Sequence, residues 1–176
     1  RSEEEGGSFA GTEEERIGML DSILEAADAV DVEFFAPESG KRALIAKAKR
    51  LRVPVILSFH DFNGMPSHET LWGIIEGMYR EGGSIAKIAV TPKTVRDALF
   101  LLDMTYNLSS EGKFVVTIGM GPVGRHLRVI APLYGSALSY GFIEGEEGVA
   151  PGQFSVKELR SIMVHLGFGL LLPYSK

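Results

Sequence analysis

The sequence predicts an α/β domain built from parallel βα units, and three observations support this prediction. Short apolar runs rich in β-branched and aromatic residues recur along the chain, segments with helical spacing separate them, and polar residues follow several of the runs. Strands that alternate with helices run parallel, and runs that are apolar throughout are typical of parallel strands buried on both faces. The length of 176 residues suits one domain, so we predict a single domain over residues 1–176.

The individual elements follow from these patterns. The apolar runs predict strands over residues 29–35, 53–59, 84–90, 114–120 and 135–142. Helical spacing predicts helices over 13–27, 44–51, 70–80 and 94–104, and a last helix that begins at Ser155, where Glu158 has capping-box spacing.

Two architectures fit this alternation, a doubly wound open sheet and a (β/α)8 barrel. No G-x-G-x-x-G motif follows a strand, which argues against the dinucleotide-binding form of the open sheet. Polar residues at the C-terminal ends of strands suit both architectures, since both place their sites there.

Composition excludes several functional classes. The formal net charge is -5, and no basic stripe with interleaved aromatic residues is present, which argues against a nucleic-acid surface. The chain has no cysteine, so neither disulfides nor thiolate chemistry are available. No apolar run approaches the roughly 18 residues of a membrane span, and no signal-peptide pattern is present. We therefore expect a cytoplasmic protein.

Lys87 lies in the middle of the apolar run SIAKIAV. Ile85 and Ala89 share its face of the predicted strand, so carbon surrounds the amine. An isolated buried ammonium is costly, which makes the neutral amine accessible. A neutral amine can attack a ketone and form an iminium, which is an electron sink. The alternative is a lysine on an edge strand whose amine reaches water along its carbon chain.

His60 follows the run VILSF and precedes Lys87 by 87 − 60 = 27 residues. This separation is the length of one βαβ repeat, and neighbouring parallel strands lie about 5 Å apart, so both side chains could reach one small substrate. An imidazole can act as base and then as acid near neutral pH. The alternative is a histidine that is simply hydrogen-bonded at a strand end.

The remaining histidines do not extend this constellation. His68 stands where a helix is expected to begin, His126 lies in a glycine-rich turn, and His165 belongs to the last predicted helix. No pair of histidines has the spacing of metal ligands, so we expect no metal.

An ordered set of motifs resembles one enzyme family. The set consists of SFHDF with Pro66, KIAV, GMGPVG with Arg128, GSALSYG and APGQ, and the opening RSEEEGG is similar to the family's RS..EGG element. Together they resemble type I 3-dehydroquinate dehydratases, the Schiff-base-forming lyases of the shikimate pathway, over essentially the whole chain. The resemblance implies a (β/α)8 barrel of the TIM type, and dehydration of 3-dehydroquinate to 3-dehydroshikimate without cofactor or metal.

The resemblance also assigns roles to individual residues. Lys87 matches the Schiff-base lysine, His60 the general acid/base, and Glu5 the carboxylate that orients this histidine. The positions that match substrate-binding residues are Arg1, Arg128, Gln153 and Asp31. Arg128 would hold the substrate carboxylate, a task suited to a planar bidentate donor, and Asp31 matches a buried acid near the lysine. Residues 144–153, with three glycines and an acidic run, are expected to form a mobile lid that brings Gln153 to the substrate.

Two departures from the family pattern change the expectations. Val149 stands where the family usually has a serine just before APGQ. Arg1 aligns with the end of the third strand of a barrel of about 250 residues, so the first two βα units are expected to be absent. A barrel opened in this way would have unpaired edges, and we expect a partner chain, as in a homodimer.

Two other functions stay open at this point. A truncated, non-catalytic barrel fragment would serve only as a scaffold. Another lysine-dependent enzyme of the class I aldolase type would use the same electron sink, but it gives no reason for the ordered set of His60, Arg128 and Gln153.

Overall fold

The computed structural model describes residues 5–146, 148, 150 and 152–168. The chain divides into two compact units, Arg1–Ala89 and Val90–Lys176. Among the described residues, no helix combines the length and apolar character that crossing a bilayer would require.

The first unit contains strands that lie side by side in chain order: β1 (Val30–Glu33), β2 (Val55–Asp61) and β3 (Ile85–Val90), which ends one residue into the second unit. Strands β1 and β2 are parallel, with Asp31 opposite Ile56 and Glu33 opposite Ser58. Side chains alternate along a strand, and paired residues of parallel strands point to the same face. Asp31, Glu33, Ser58 and His60 therefore share one face of the sheet.

The described part of the first unit also contains the α-helices α1 (Glu13–Ile23), α2 (Glu38–Leu51) and α3 (His68–Arg80), and a 3-10 helix over Leu24–Ala26. A capping box begins α1, because the Thr12 hydroxyl accepts the Glu15 N–H while the Glu15 carboxylate accepts the Thr12 N–H. The fully buried side chains of this unit come from the strands, from α2 and α3 and from the 3-10 helix, and they include Val32, Leu44, Ile75 and Leu24. Apolar burial thus fixes the sheet from which the polar side chains project.

The second unit contains α4 (Val95–Ser110), β4 (Phe114–Gly119), α5 (Gly121–Gly124), α6 (Leu127–Ile130) and α7 (Val156–His165). Buried Leu101 and Met104 of α4 and Val116 of β4 contribute to its core. The hydroxyl of Thr105 donates to that of Thr117 at 2.7 Å, which joins α4 to β4 through buried polar groups. The predicted capping box of the last helix is present, with Ser155 and Glu158 as its two members.

The predicted strand over 135–142 is wrong. Within the described part of this segment, only isolated bridges form, from Ser136 to Val115 and from Phe142 to Ser155. A side chain takes the place of a ladder bond, because the Ser136 hydroxyl accepts the Thr117 N–H at 3.1 Å. The apolar content of the segment is typical of a strand. Part of its hydrogen bonding is made by a side chain, so no continuous strand forms.

Helix boundaries also differ from the predictions. Helix α2 begins at Glu38 rather than at residue 44, because its first turns carry polar residues and Gly40 and so show no apolar spacing. Helix α4 extends to Ser110, and the short helices α5 and α6 were not predicted. Such four-residue helices carry too little periodicity to stand out in a sequence.

Candidate active site

Glu5 and His60 form a buried pair in the first unit. Oε2 of Glu5 lies 2.7 Å from Nδ1 of His60 and also accepts the His60 backbone N–H at 3.0 Å. Both residues are 7% exposed, so water contributes little to this pair. Because a carboxylate only accepts hydrogen bonds, Nδ1 carries the proton, and Nε2 is the basic nitrogen of the neutral ring.

Glycine at position 6 holds Glu5 in place. Gly6 has a φ of 77°, and a Cβ at this position would lie 2.5 Å from Cε2 of Phe62. Only a residue without a side chain fits both the backbone angle and the aromatic ring. The local backbone therefore explains why glycine follows Glu5 in the EGG sequence, because the turn at Gly6 lets the chain bring Glu5 against His60.

Lys87 and Asp31 form another charged pair of this unit. Nζ of Lys87 lies 2.6 Å from Oδ2 of Asp31, and the hydroxyl of Ser58 donates to Oδ1 of the same carboxylate at 2.6 Å. Lys87 is 5% exposed, so it is neither an edge lysine nor one that extends into water. It is not an isolated charge, because Asp31 faces it, as the resemblance implied. The Asp31 side chain, expected to be buried, is 35% exposed.

The two pairs share one face of the sheet. Ser58 and His60 are two residues apart on β2, so their side chains point the same way. Asp31 bonds Ser58 and Lys87, which places both of these side chains on that face as well. An amine and an imidazole thus project to one side of neighbouring strands.

Arg128 is a buried cation of the second unit. It lies in α6 and is 3% exposed. Burial lowers the pKa of its guanidinium, and the nearby charge of Arg125 lowers this pKa further. A close approach of Gly119 to Gly124, where a Cβ on Gly119 would lie 2.4 Å from the Gly124 carbonyl oxygen, brings the short helices against the end of β4. The glycines of GMGPVG therefore position the segment that carries Arg128.

Gln153 lies in the second unit near the end of the glycine-containing loop. If Gly148 carried a side chain, its Cβ would lie 3.5 Å from Oε1 of Gln153. The backbone N–H of Gln153 donates to the Ala150 carbonyl. Gly152 has a φ of 76° and packs against the Arg125 side chain, whose guanidinium lies 4.2 Å from the centre of the Phe154 ring. Arg125 thus anchors the end of this loop.

Two sequence-predicted positions, Arg1 and Val149, lie outside the described residues. Within the part of the chain that is described, no group of three His, Asp or Glu side chains could hold a metal ion.

Comparison with known proteins identifies the family. The model of the type I 3-dehydroquinase family matches residues 1–167. The chain belongs to this family. The 3-dehydroquinate dehydratase of Methanosarcina mazei is 43% identical over 166 residues, which cover 93% of this chain and 69% of the relative. The Bacillus subtilis enzyme of the same name is 34% identical over 167 residues, covering 93% of this chain and 65% of the relative.

Solved 3-dehydroquinate dehydratases have a similar fold. The Geobacillus kaustophilus structure matches with a TM-score of 0.86 and 32% identity, covering 100% of this chain and 67% of that one. The Clostridium difficile type I enzyme, solved with covalent modified comenic acid, matches with a TM-score of 0.86 and 30% identity, covering 96% and 67%. The chain therefore spans about two thirds of the length of these relatives.

These findings confirm the predicted family and the predicted enzyme class, a 3-dehydroquinate dehydratase of the shikimate pathway. They also confirm an α/β fold with a parallel sheet, similar to the barrels of this family. The absence of the first two βα units stays a prediction.

The sequence reasoning missed Ser58 and a buried ion network. Ser58 stands two residues before His60, so strand alternation alone could have placed it on the same face as the histidine. In the network, Arg16 contacts Glu13 at 2.7 Å and Glu33 at 2.6 Å, and both Arg16 and Glu33 are buried. No local pattern marks this triad, because Glu33 lies on β1, far from α1 in the sequence.

Proposed function

We propose that this chain dehydrates 3-dehydroquinate to 3-dehydroshikimate through an imine on Lys87, with His60 as general acid/base. The observation that carries the proposal is the pairing of a buried lysine with Asp31 on the sheet face that also carries a Glu5-bound histidine. An amine for covalent catalysis and an oriented proton carrier are the two parts that this dehydration needs.

The first stage forms the imine. Lys87 gives up its ammonium proton, and the neutral amine adds to the ketone carbon. The proton that the ammonium gave up returns to the carbinolamine hydroxyl, which leaves as water, and the iminium that forms has a positive nitrogen that acidifies the adjacent carbon. Asp31, which faces the ammonium in the resting protein, would stabilise the positive nitrogen of the iminium by the same contact.

The second stage moves one proton through His60. Nε2 takes a proton from the acidified carbon, and the C–H electrons form an enamine. Glu5 then faces an imidazolium and stabilises it. The enamine expels the neighbouring β-hydroxyl, which receives the proton from Nε2 and leaves as water. Hydrolysis of the conjugated imine releases the product and restores the amine.

The remaining assignments concern substrate binding. Arg128 is proposed to bind the substrate carboxylate, which would compensate the desolvation that lowers its pKa. Gln153 is proposed to contact the substrate from the loop over 144–153, and Arg1 to bind it from the start of the chain. With Val149 in place of the usual serine, one substrate hydrogen bond is expected to be missing or to come from another group.

The proposed setting is a cytoplasmic homodimer. The C. difficile relative was solved with covalent modified comenic acid, which supports covalent chemistry in the family.

Turnover by the purified chain tests the proposal, since the conjugated enone of the product absorbs in the ultraviolet and the substrate has no such chromophore. A folded chain without measurable turnover would favour the non-catalytic fragment instead.

A further inference from the structure

A cavity lies at the opposite end of the first unit's strands from His60. It has a volume of about 510 Å3 and is lined by residues around the starts of β2 and β3, including Val55 and Ser84. Its size falls in the range of about 300–1,000 Å3 that small-molecule sites occupy.

The lining of this cavity is positively charged. Lys49, Arg52 and Arg80 line it, and among its described lining residues only Glu81 is acidic. Glu81 is already paired, with its Oε2 2.7 Å from Nζ of Lys41. In the described part of the chain, the three lining cations have neither an ion pair nor a side-chain hydrogen bond. Positive charge thus collects in a concave site of a chain whose net charge is -5.

Cations at the ends of helices often bond the last carbonyls, but here backbone amides bond several of these carbonyls. At the end of α2, the Arg52 N–H reaches the carbonyls of Ala48 and Lys49. At the end of α3, the Gly83 N–H donates to the Met78 carbonyl at 3.0 Å. These carbonyls therefore do not depend on the side chains of the cations.

Arg52 has an unusual backbone for its type. Its φ is 60°, and it is the one described residue other than glycine with a positive φ. Glycine fits this position at the end of a helix without steric cost, whereas a residue with a Cβ is strained there. The arginine side chain thus stands at the rim of the cavity despite an unfavourable backbone.

We propose that this cavity binds the phosphate groups of a small anionic molecule. The planar guanidinium groups of Arg52 and Arg80 suit bidentate contact with phosphate oxygens, and Lys49 adds a third positive charge. The Ser84 hydroxyl accepts the Val55 N–H, so its own proton is available to an anion.

Calorimetric titration of the 176-residue chain with inorganic pyrophosphate, at constant ionic strength set with sodium chloride, tests this site. We expect one saturable event per chain, with orthophosphate binding more weakly than pyrophosphate. Arg52→Gly should weaken pyrophosphate binding about tenfold or more, as loss of a charge-assisted contact requires, while the melting temperature rises because glycine relieves the backbone. Arg80→Gln should weaken binding to a similar extent.

The matched control is Arg42→Gln, which removes the same charge from an exposed ion pair with Glu38 outside the cavity. This variant should bind pyrophosphate like the unmodified chain. The proposal is overturned by the absence of saturable binding, by unchanged binding in both Arg52→Gly and Arg80→Gln, or by an equal loss in Arg42→Gln. Because the cavity lies away from His60, none of these results bears on the dehydratase proposal.

Discussion

Glu5 and Asp31 each hold one of the two proposed catalytic side chains, and they do so with different consequences. Glu5 fixes the tautomer of a neutral imidazole and would stabilise the imidazolium that follows proton abstraction. Asp31 faces an ammonium that must lose its proton before it attacks a ketone. In the proposed mechanism Glu5 therefore acts during proton transfer by His60, whereas Asp31 acts during imine formation on Lys87.

Replacing His60 with alanine should reduce turnover far more than imine formation. Loss of a general acid/base lowers rates by about 10²–10⁴-fold, but the amine of Lys87 remains able to condense with the ketone. Steady-state rates together with the mass of the borohydride-reduced protein measure both effects. His165→Ala, which changes an exposed histidine of α7, is the control. Full turnover in His60→Ala would remove the histidine from the mechanism.

Replacing Arg128 with alanine should raise KM for 3-dehydroquinate while imine formation at saturating substrate persists. Truncating one partner of a buried charge pair costs about 2–5 kcal/mol, which corresponds to a weakening of about 30- to several-thousand-fold. Arg96→Ala, at an exposed position of α4, is the control. An unchanged KM in Arg128→Ala would mean that another cation binds the carboxylate.

At the scale of elements, the start of α1 is tied to β1 by the triad of Glu13, Arg16 and Glu33. The hydrogen bond from Arg16 lowers the pKa of Glu13 against the opposing effect of burial. The same contact raises the pKa of Arg16. Because Arg16 and Glu33 are buried, this network fixes the rotation of α1 about its axis. A purely apolar contact would not fix that rotation.

The lowered pKa of Glu13 predicts a pH-dependent part of the stability. A depressed folded pKa contributes stability above the unfolded value of about 4.3, and that contribution is lost as the pH falls through the folded pKa. Urea unfolding at pH 7 and at pH 3 should therefore show a smaller acid-induced loss in Glu13→Gln than in the unmodified chain. Glu14→Gln, one residue along the same helix, should keep the full loss. An equal loss in all three proteins would contradict the assignment.

The loop over residues 144–153 is predicted to close on the substrate. Gly145 and Gly152 have positive φ angles, and Arg125 anchors the C-terminal end through Gly152 and Phe154. Hydrogen exchange of the loop amides should slow when substrate is trapped on Lys87, because closure excludes water. The amides of α4 provide the internal control. Exchange that is equally slow with and without trapped substrate would show a loop that does not gate the site.

Element types could be predicted from sequence wherever the apolar pattern is strong. Strands β1 to β4 are short runs that are apolar almost throughout, and the longer helices carry apolar residues at helical spacing over most of their length, so their existence follows from the sequence. The segment over 135–142 has strand-like composition, but the hydroxyl of Ser136 replaces a ladder bond, which composition does not reveal. The Asp31–Ser58–Lys87 cluster joins three strands, so its contacts depend on register, which the sequence leaves open.

At the scale of the whole molecule, the chain spans about two thirds of the length of its relatives, and its described residues form two compact units. The ordered motifs were sufficient to predict the family, because the whole set resembles the family's motifs in order and spacing. The proposed mechanism assigns each step to particular side chains of this chain, and each assignment requires that the 176-residue chain turns over substrate. The identity of the lysine that bonds to the substrate is therefore the central claim.

Borohydride reduction in the presence of 3-dehydroquinate, followed by peptide mass mapping of the whole chain, tests this claim most directly. The proposal predicts one substrate-derived adduct, on the peptide that contains Lys87, and no adduct in Lys87→Ala. The control is Lys41→Arg, because Lys41 is also buried but contacts Glu81 and the Phe34 carbonyl; this variant should keep the adduct. An adduct on any other lysine, or one that persists in Lys87→Ala, would contradict the assignment.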